Sequence, residues 1–125
     1  MKIHHVGIVC QDISEALKEF ELFHPIIKKS EVIHDPLQNA FLCMVTSNTG
    51  LEYEFISGEQ VQRLSKKGIS YYHLCYEVAN LEESINTAVE NGAIMISEPK
   101  PAILFQNKRV AFLHFSYGLV ELLEE

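Results

Sequence analysis

Two histidines and two glutamates recur at matching places in this chain of 125 residues. His5 opens the run His-Val-Gly-Ile-Val-Cys-Gln-Asp12, and His73 opens the run His-Leu-Cys-Tyr-Glu-Val-Ala-Asn80. Downstream of each, a carboxylate stands inside an otherwise apolar segment: Glu54 in Tyr53-Glu-Phe-Ile56 and Glu121 in Val120-Glu-Leu-Leu123. The separations of His5 from Glu54 and of His73 from Glu121 differ by a single residue. Two imidazoles and two carboxylates repeated in this way suit one borderline divalent cation, and the donor set does not choose among zinc, nickel, cobalt, iron and manganese. Glu52 shares a strand face with Glu54, because side chains alternate, so parity leaves both as candidates. The repeat spacing and the match to Glu121 favour Glu54.

The elements that must position these groups also repeat. Laying residue 5 on residue 73 aligns two short apolar runs, each long enough for one strand and each ending in a residue that caps helices. Asp12 with Glu15, and Asn80 with Glu83, have the spacing of a capping box, in which side chains satisfy the orphan N–H groups of a first helical turn. The first helix carries Ile13, Ala16, Leu17 and Phe20 on one face, the second Leu81, Ile85, Ala88 and Val89. Gly92 stops the second helix. Strand-forming segments follow at Ala40 to Thr46 and Leu51 to Ile56, and again at Arg109 to Phe115 and Leu119 to Leu123. Each half therefore reads as a βαβββ unit whose second strand is the weakest. The expected organisation is a single α+β domain: module one over about residues 1–58, a polar, glycine-bounded linker over 59–69 and module two over about 70–125. On alternation, His5, Gly7 and Val9 share one face of the first strand, and His73, Cys75 and Glu77 share one face of its counterpart.

Composition narrows the function classes. Hydrophobic residues make up 47% and charged residues 22%, so a packed core is expected and disorder is not. The net charge is -7 and the basic residues are scattered, which argues against a nucleic-acid partner or an anionic membrane surface. No apolar stretch approaches a membrane span and no secretory leader is evident, so the expected location is cytoplasmic. Cys10, Cys43 and Cys75 lack C-x-x-C spacing and read as reduced core thiols. His4, His24, His34 and His114 have no partner in the repeat and read as surface or turn residues. Lys66, Lys67, Lys108 and Arg109 could attract a phosphate-bearing substrate, although dibasic pairs are ordinarily solvated. Tyr71, Tyr72, Phe112 and Phe115 are expected on the helix side or lining a ligand cavity.

The paired His-Val-Gly-Ile and Tyr-His-Leu-Cys-Tyr-Glu-Val openings, with the Val-Glu-Leu-Leu-Glu close, resemble the vicinal oxygen chelate superfamily. Glyoxalase I, methylmalonyl-CoA epimerase, extradiol dioxygenases and the fosfomycin and bleomycin resistance proteins belong to it. The resemblance covers essentially the whole chain. It implies two βαβββ modules forming a cupped mixed sheet around one divalent metal, with His5, Glu54, His73 and Glu121 as ligands and Glu121 or Glu54 as the catalytic base. It further implies an isomerase or lyase that abstracts a proton next to a carbonyl, epimerase-like, acting on a small carbonyl substrate such as an acyl-CoA thioester. A glyoxalase I-like lyase and a non-catalytic binding or resistance protein are the alternatives. Within Asp35-Pro-Leu-Gln-Asn-Ala-Phe41, Leu37 stands where epimerases carry an acid, which puts a two-base proton shuttle in doubt. The segment Pro99-Lys-Pro-Ala-Ile-Leu-Phe105 is expected as a loop. Exposed sheet edges, with the pairing habit of the superfamily, imply a homodimer.

Overall fold

The computed structural model describes residues 2–125. Its internal contacts divide the chain into two compact units, His5–Tyr72 and a second that joins the N-terminal residues up to His4 with His73–Glu125. The first contains β1 (Lys2–Val9) from His5 onward, α1 (Ile13–Phe23), β2 (Ile26–Lys29), β3 (Ile33–Asp35), β4 (Ala40–Ser47), β5 (Glu52–Ser57) and α2 (Glu59–Lys66). Its strands lie in the order β2-β4-β5-β1. β1 runs parallel to β5, β4 antiparallel to β5, and β3 forms an antiparallel pair with β4. The second unit contains β6 (Tyr71–Val78) from His73 onward, α3 (Leu81–Glu90), β7 (Ile94–Ala102), β8 (Lys108–Phe115) and β9 (Gly118–Glu124), in the order β6-β9-β8-β7. β6 is parallel to β9 and the other neighbours are antiparallel. The α+β class thus follows the sequence pattern, and module one adds the short strand β3 to the expected βαβββ order.

Capping starts both repeat helices. The Glu15 backbone N–H donates to Asp12 Oδ1 at 2.9 Å, and the Glu83 N–H to Asn80 Oδ1 at 2.9 Å. Apolar periodicity then seats each helix on one sheet face. Ile13 and Leu17 pack with Cys43, Val45 and Phe55 in the first unit; Leu81 and Ile85 pack with Ala111, Leu113, Val120 and Leu122 in the second. Each such large side chain removed from water contributes about 1.5–3 kcal/mol before the entropy of ordering is counted. Val89, expected on the buried face of α3, is exposed. Eight residues beyond Leu81, it has rotated by about 80° at the helical 100° per residue. At the end of this helix Gly92 takes φ +102, and the Ala93 N–H closes onto the Ala88 carbonyl at 3.0 Å.

Two segments depart from the sequence reading. The expected linker is the helix α2, anchored by buried Val61. Only two apolar residues, Val61 and Leu64, mark its inner face, too few for a periodic signal. Gly58 before it has φ +121, and a Cβ there would lie 3.2 Å from Ala40 Cα, so both the backbone angle and the tight space beside β4 favour glycine. The expected Pro99–Phe105 loop is instead the second half of β7 followed by a 3-10 turn, Ile103–Phe105. Pro99 falls in the register break between Ser97 and Lys100, and β7 ends the strand order of its unit, so the missing proline donors cost little. Among the described residues no helix is long and apolar enough to cross a membrane.

The two caps give a direct stability test. Asp12→Ala and Asn80→Ala should each lower the unfolding free energy by about 1 kcal/mol, read as a shift in urea midpoint at unchanged slope. An unchanged midpoint in either variant would show that tertiary packing alone starts that helix.

Candidate functional site

Opposite the helix-packed face, each sheet buries a histidine beside a glutamate. In the first unit Cys43, Val45, Tyr53 and Phe55 point toward α1, so Met44, Thr46, Glu52 and Glu54 point to the other face. His5 lies on that face too, 0% exposed, and its Nε2 is 3.4 Å from Glu54 Oε1. In the second unit Leu113, Val120 and Leu122 meet α3, while Phe112 and Glu121 face away from it. Here His73 Nε2 lies 3.3 Å from Glu121 Oε1. Both glutamates are buried, at 3% and 1% exposure. The modules agree in register as well. Gly7, two residues past His5, is level with Glu54; Cys75, two residues past His73, is level with Glu121.

A buried carboxylate is costly unless a donor or a cation compensates it. The imidazole–carboxylate separations exceed the roughly 2.7–2.9 Å of a charge-assisted N–H···O bond. They match the distance of about 3.3–3.4 Å between two ligands of one tetrahedral zinc ion, given metal–ligand bonds near 2.0–2.2 Å. Nitrogen and carboxylate oxygen are also the donors a borderline divalent ion takes. Each pair therefore fits one edge of a metal coordination shell. Glu52, the rival of Glu54, is half-buried and accepts a hydrogen bond from Thr46 Oγ1 at 3.4 Å.

The cross-strand neighbours of the two glutamates differ, and sequence reasoning did not single them out as a pair. Met44 stands opposite Glu54, and Phe112 opposite Glu121. The Phe112 ring meets the His73 imidazole edge-on, with centroids 5.3 Å apart at 84°. Their positions became readable only with the β4–β5 and β8–β9 registers.

Most of the remaining candidates pack against neighbouring side chains. Cys75 is fully buried among Ala102, Val110 and Leu123. None of the three cysteines is in a disulfide. Burial pushes the Cys10 thiol up to about 11, with the Asp12 charge acting in the same sense, and burial also raises Cys43. His24 stacks on Phe20, His34 tilts onto Phe41, His4 sits edge-on to Phe105, and His114 is exposed. Arg109 Nη1 reaches Glu82 at 2.8 Å and Nη2 reaches Glu124 at 3.2 Å. Hydrogen bonds from the guanidinium hold both carboxyls below the usual carboxylate value, and the two carboxylates raise Arg109 in turn. That side chain ties α3 to β8 and β9, an internal role that competes with binding an external phosphate. Tyr71, expected on the helix side or in a cavity, is 79% exposed, whereas Phe115 packs on the α3 side. Leu37 is 57% exposed in the β3–β4 turn. That turn is built on buried Asp35, whose carboxylate accepts from the Leu37 N–H at 2.9 Å and from Gln38 Nε2 at 3.1 Å.

The fold recurs in solved structures. A hypothetical protein from Bacillus halodurans is similar at 24% identity with a TM-score of 0.78, over 99% of this chain and 94% of that one. Methylmalonyl-CoA epimerase from Mycobacterium tuberculosis is similar at 18% identity and a TM-score of 0.81, over 98% of this chain and 87% of that one. A Streptomyces coelicolor methylmalonyl-CoA epimerase variant, solved with 2-nitronate-propionyl-CoA, is similar at 18% identity and a TM-score of 0.76, over 100% and 94%. At these identities the likeness establishes the fold alone. No curated protein matches the chain in sequence. The family model for the Glyoxalase/Bleomycin resistance protein/Dioxygenase superfamily matches residues 4–112, a stretch that contains His5, Glu54 and His73. Since one family model runs through the greater part of both modules, the chain belongs to the Glyoxalase/Bleomycin resistance protein/Dioxygenase superfamily.

Proposed function

We propose that His5, Glu54, His73 and Glu121 together hold one divalent ion, and that the protein is a cytoplasmic isomerase or lyase that removes a proton from the carbon beside a carbonyl. The recurrence of one buried imidazole–carboxylate pair per module, at the spacing of two ligands on one metal, carries this reading. Membership of the superfamily and a fold shared with methylmalonyl-CoA epimerases support it. Zinc, nickel, cobalt, iron or manganese bound there would supply a Lewis acid toward a substrate oxygen. The two histidines act as neutral donors and stay in place. Glu121 or Glu54 takes the proton at a carboxylate oxygen and returns it, which makes the chemistry epimerase-like. Burial of both carboxylates keeps water from competing as proton acceptor. The substrate is a small carbonyl compound, with an acyl-CoA thioester or a glutathione hemithioacetal as the two forms to distinguish.

Leu37 favours a second reading. An exposed apolar side chain stands where an epimerase would carry an acid, so module one lacks that base, and a non-catalytic binding or resistance protein is the alternative. We further propose a homodimer.

Protein purified without chelator or affinity tag should contain close to one divalent ion per chain by elemental analysis. The double substitution His5→Ala with His73→Ala should abolish it, and Glu54→Gln should lower the content more than Glu52→Gln. Full metal retention by the double mutant would remove the site assignment.

In heavy water, the metal-loaded protein should wash deuterium into the position beside the carbonyl of its substrate. A 2-methyl-branched acyl-CoA thioester and the hemithioacetal of methylglyoxal with glutathione are to be tested separately. Exchange of the first favours the epimerase-like reaction and conversion of the second the glyoxalase-like one, with Glu121→Gln removing either. Binding of a broad carbonyl panel without exchange would make the binding-protein reading the better one. Light scattering at micromolar concentration should give twice the chain mass, and a monomer would contradict the dimer alone.

A further inference from the structure

Module one carries a carboxylate that module two does without. Glu52 precedes Glu54 by two residues on β5 and shares its face; the same place before Glu121 is held by Leu119. Carried one residue back from Val6 opposite Tyr53, the β1–β5 register sets Glu52 level with His5. Leu119 is level with His73 by the same extension of the β6–β9 register. Glu52 is therefore an addition to the repeated His–Glu set, and the second module folds with an apolar residue at that position. Its side chain is half-buried, and Thr46 Oγ1 at 3.4 Å is its one hydrogen-bond or ion-pair partner among the described residues. Thr46 and Met44, also half-buried, continue the face across β4, opposite Glu52 and Glu54 respectively.

Charge then bears on the substrate. Two ligand carboxylates, Glu54 and Glu121, balance the charge of a divalent ion. Glu52 remains as a formal negative charge beside the His5–Glu54 pair, about 6.8 Å along the strand from Glu54. An anionic group placed there would meet an uncompensated like charge in partly desolvated surroundings, whereas a donor would complete the hydrogen bonding of the carboxylate.

Resting on the metal reading above, we propose that Glu52, held by Thr46, is a specificity-determining residue that selects carbonyl substrates bearing a hydrogen-bond donor, an ammonium or a hydroxyl, a few bonds from the coordinating oxygens, and rejects those bearing a carboxylate at that place. The reaction type is unchanged. The acyl group is neutral or cationic at that end instead of malonyl-like.

Four hydroxamates of matched length test this, since each chelates zinc through two oxygens and differs only at the far end. They are the β-alanine, 3-hydroxypropanoic, butyric and succinic monohydroxamates, ending in ammonium, hydroxyl, methyl and carboxylate. Titration calorimetry on the zinc-loaded protein should rank them in that order, with the ammonium compound at least tenfold tighter than the carboxylate one, or about 1.4 kcal/mol. Glu52→Gln should shrink that ratio below about threefold, with zinc content and circular dichroism unchanged. Glu52→Leu, which copies module two, should also erase the advantage of hydroxyl over methyl. Glu98→Gln, at an exposed site on β7, removes the same charge and should leave the ratio as in the parent. A carboxylate compound that binds as well as the ammonium one, or a ratio that survives Glu52→Gln, overturns the inference. Loss of zinc in Glu52→Gln would make Glu52 a ligand and overturn it as well. A parent protein that takes up no zinc would instead bring down the metal reading, and the inference with it.

Discussion

Burying a carboxylate within a sheet is the constraint around which each module is arranged. Glu54 and Glu121 are buried within their strands, and neither could remain ionised there without a compensating group. The neighbouring parallel strand brings an imidazole beside each. β1 and β6 each carry a histidine two residues before the position level with the glutamate, so its imidazole reaches forward to the carboxylate. The parallel pairing of first and last strand within each unit therefore sets the offset of the pair. An antiparallel partner would run its residues the other way past the glutamate and change that offset.

The rest of each module serves to hold those two strands in register. The helix covers the opposite face, and its apolar stripe meets the alternate residues of the strands that bear the pair. A slip of one residue in either strand would turn the glutamate into the helix-packed layer and expose Phe55 or Leu122 on the other face. Packing energy on one face thus enforces the position of the polar groups on the other. Outer strands tolerate irregularity because they bear no part of the pair, and β2 and β7 both carry register shifts.

Pseudo-symmetry also exposes what is not symmetric. Where the modules agree, in the His–Glu pair, the caps and the parallel register, the shared features are those that place the pair and hold its strands. Where they differ, in Glu52 against Leu119, Thr46 against His114 and Met44 against Phe112, the differing residues flank the pair along β5 and β9 or lie across from them on β4 and β8. Such positions alter what can lie beside the pair without disturbing its support, which is why a superfamily with one fold can host many reactions.

Capping residues, apolar periodicity and the recurrence of His5 with Glu54 and His73 with Glu121 were legible in the sequence, because each is a local pattern or a repeat of one. The superfamily and the α+β class followed from them. The helical state of 59–66 was not legible, since two apolar residues do not make a period, and neither was the extended state of Pro99 to Ala102, since proline excludes a strand only where a donor is needed. Parity could not separate Glu52 from Glu54. Tertiary structure decided that Glu54 is the one within 3.4 Å of His5, and that Glu52 is held by Thr46, because the reach of a side chain across two strands depends on their register and not on spacing along the chain. The sequence by itself determined which chemical groups recur; only the folded strands decided which atoms meet.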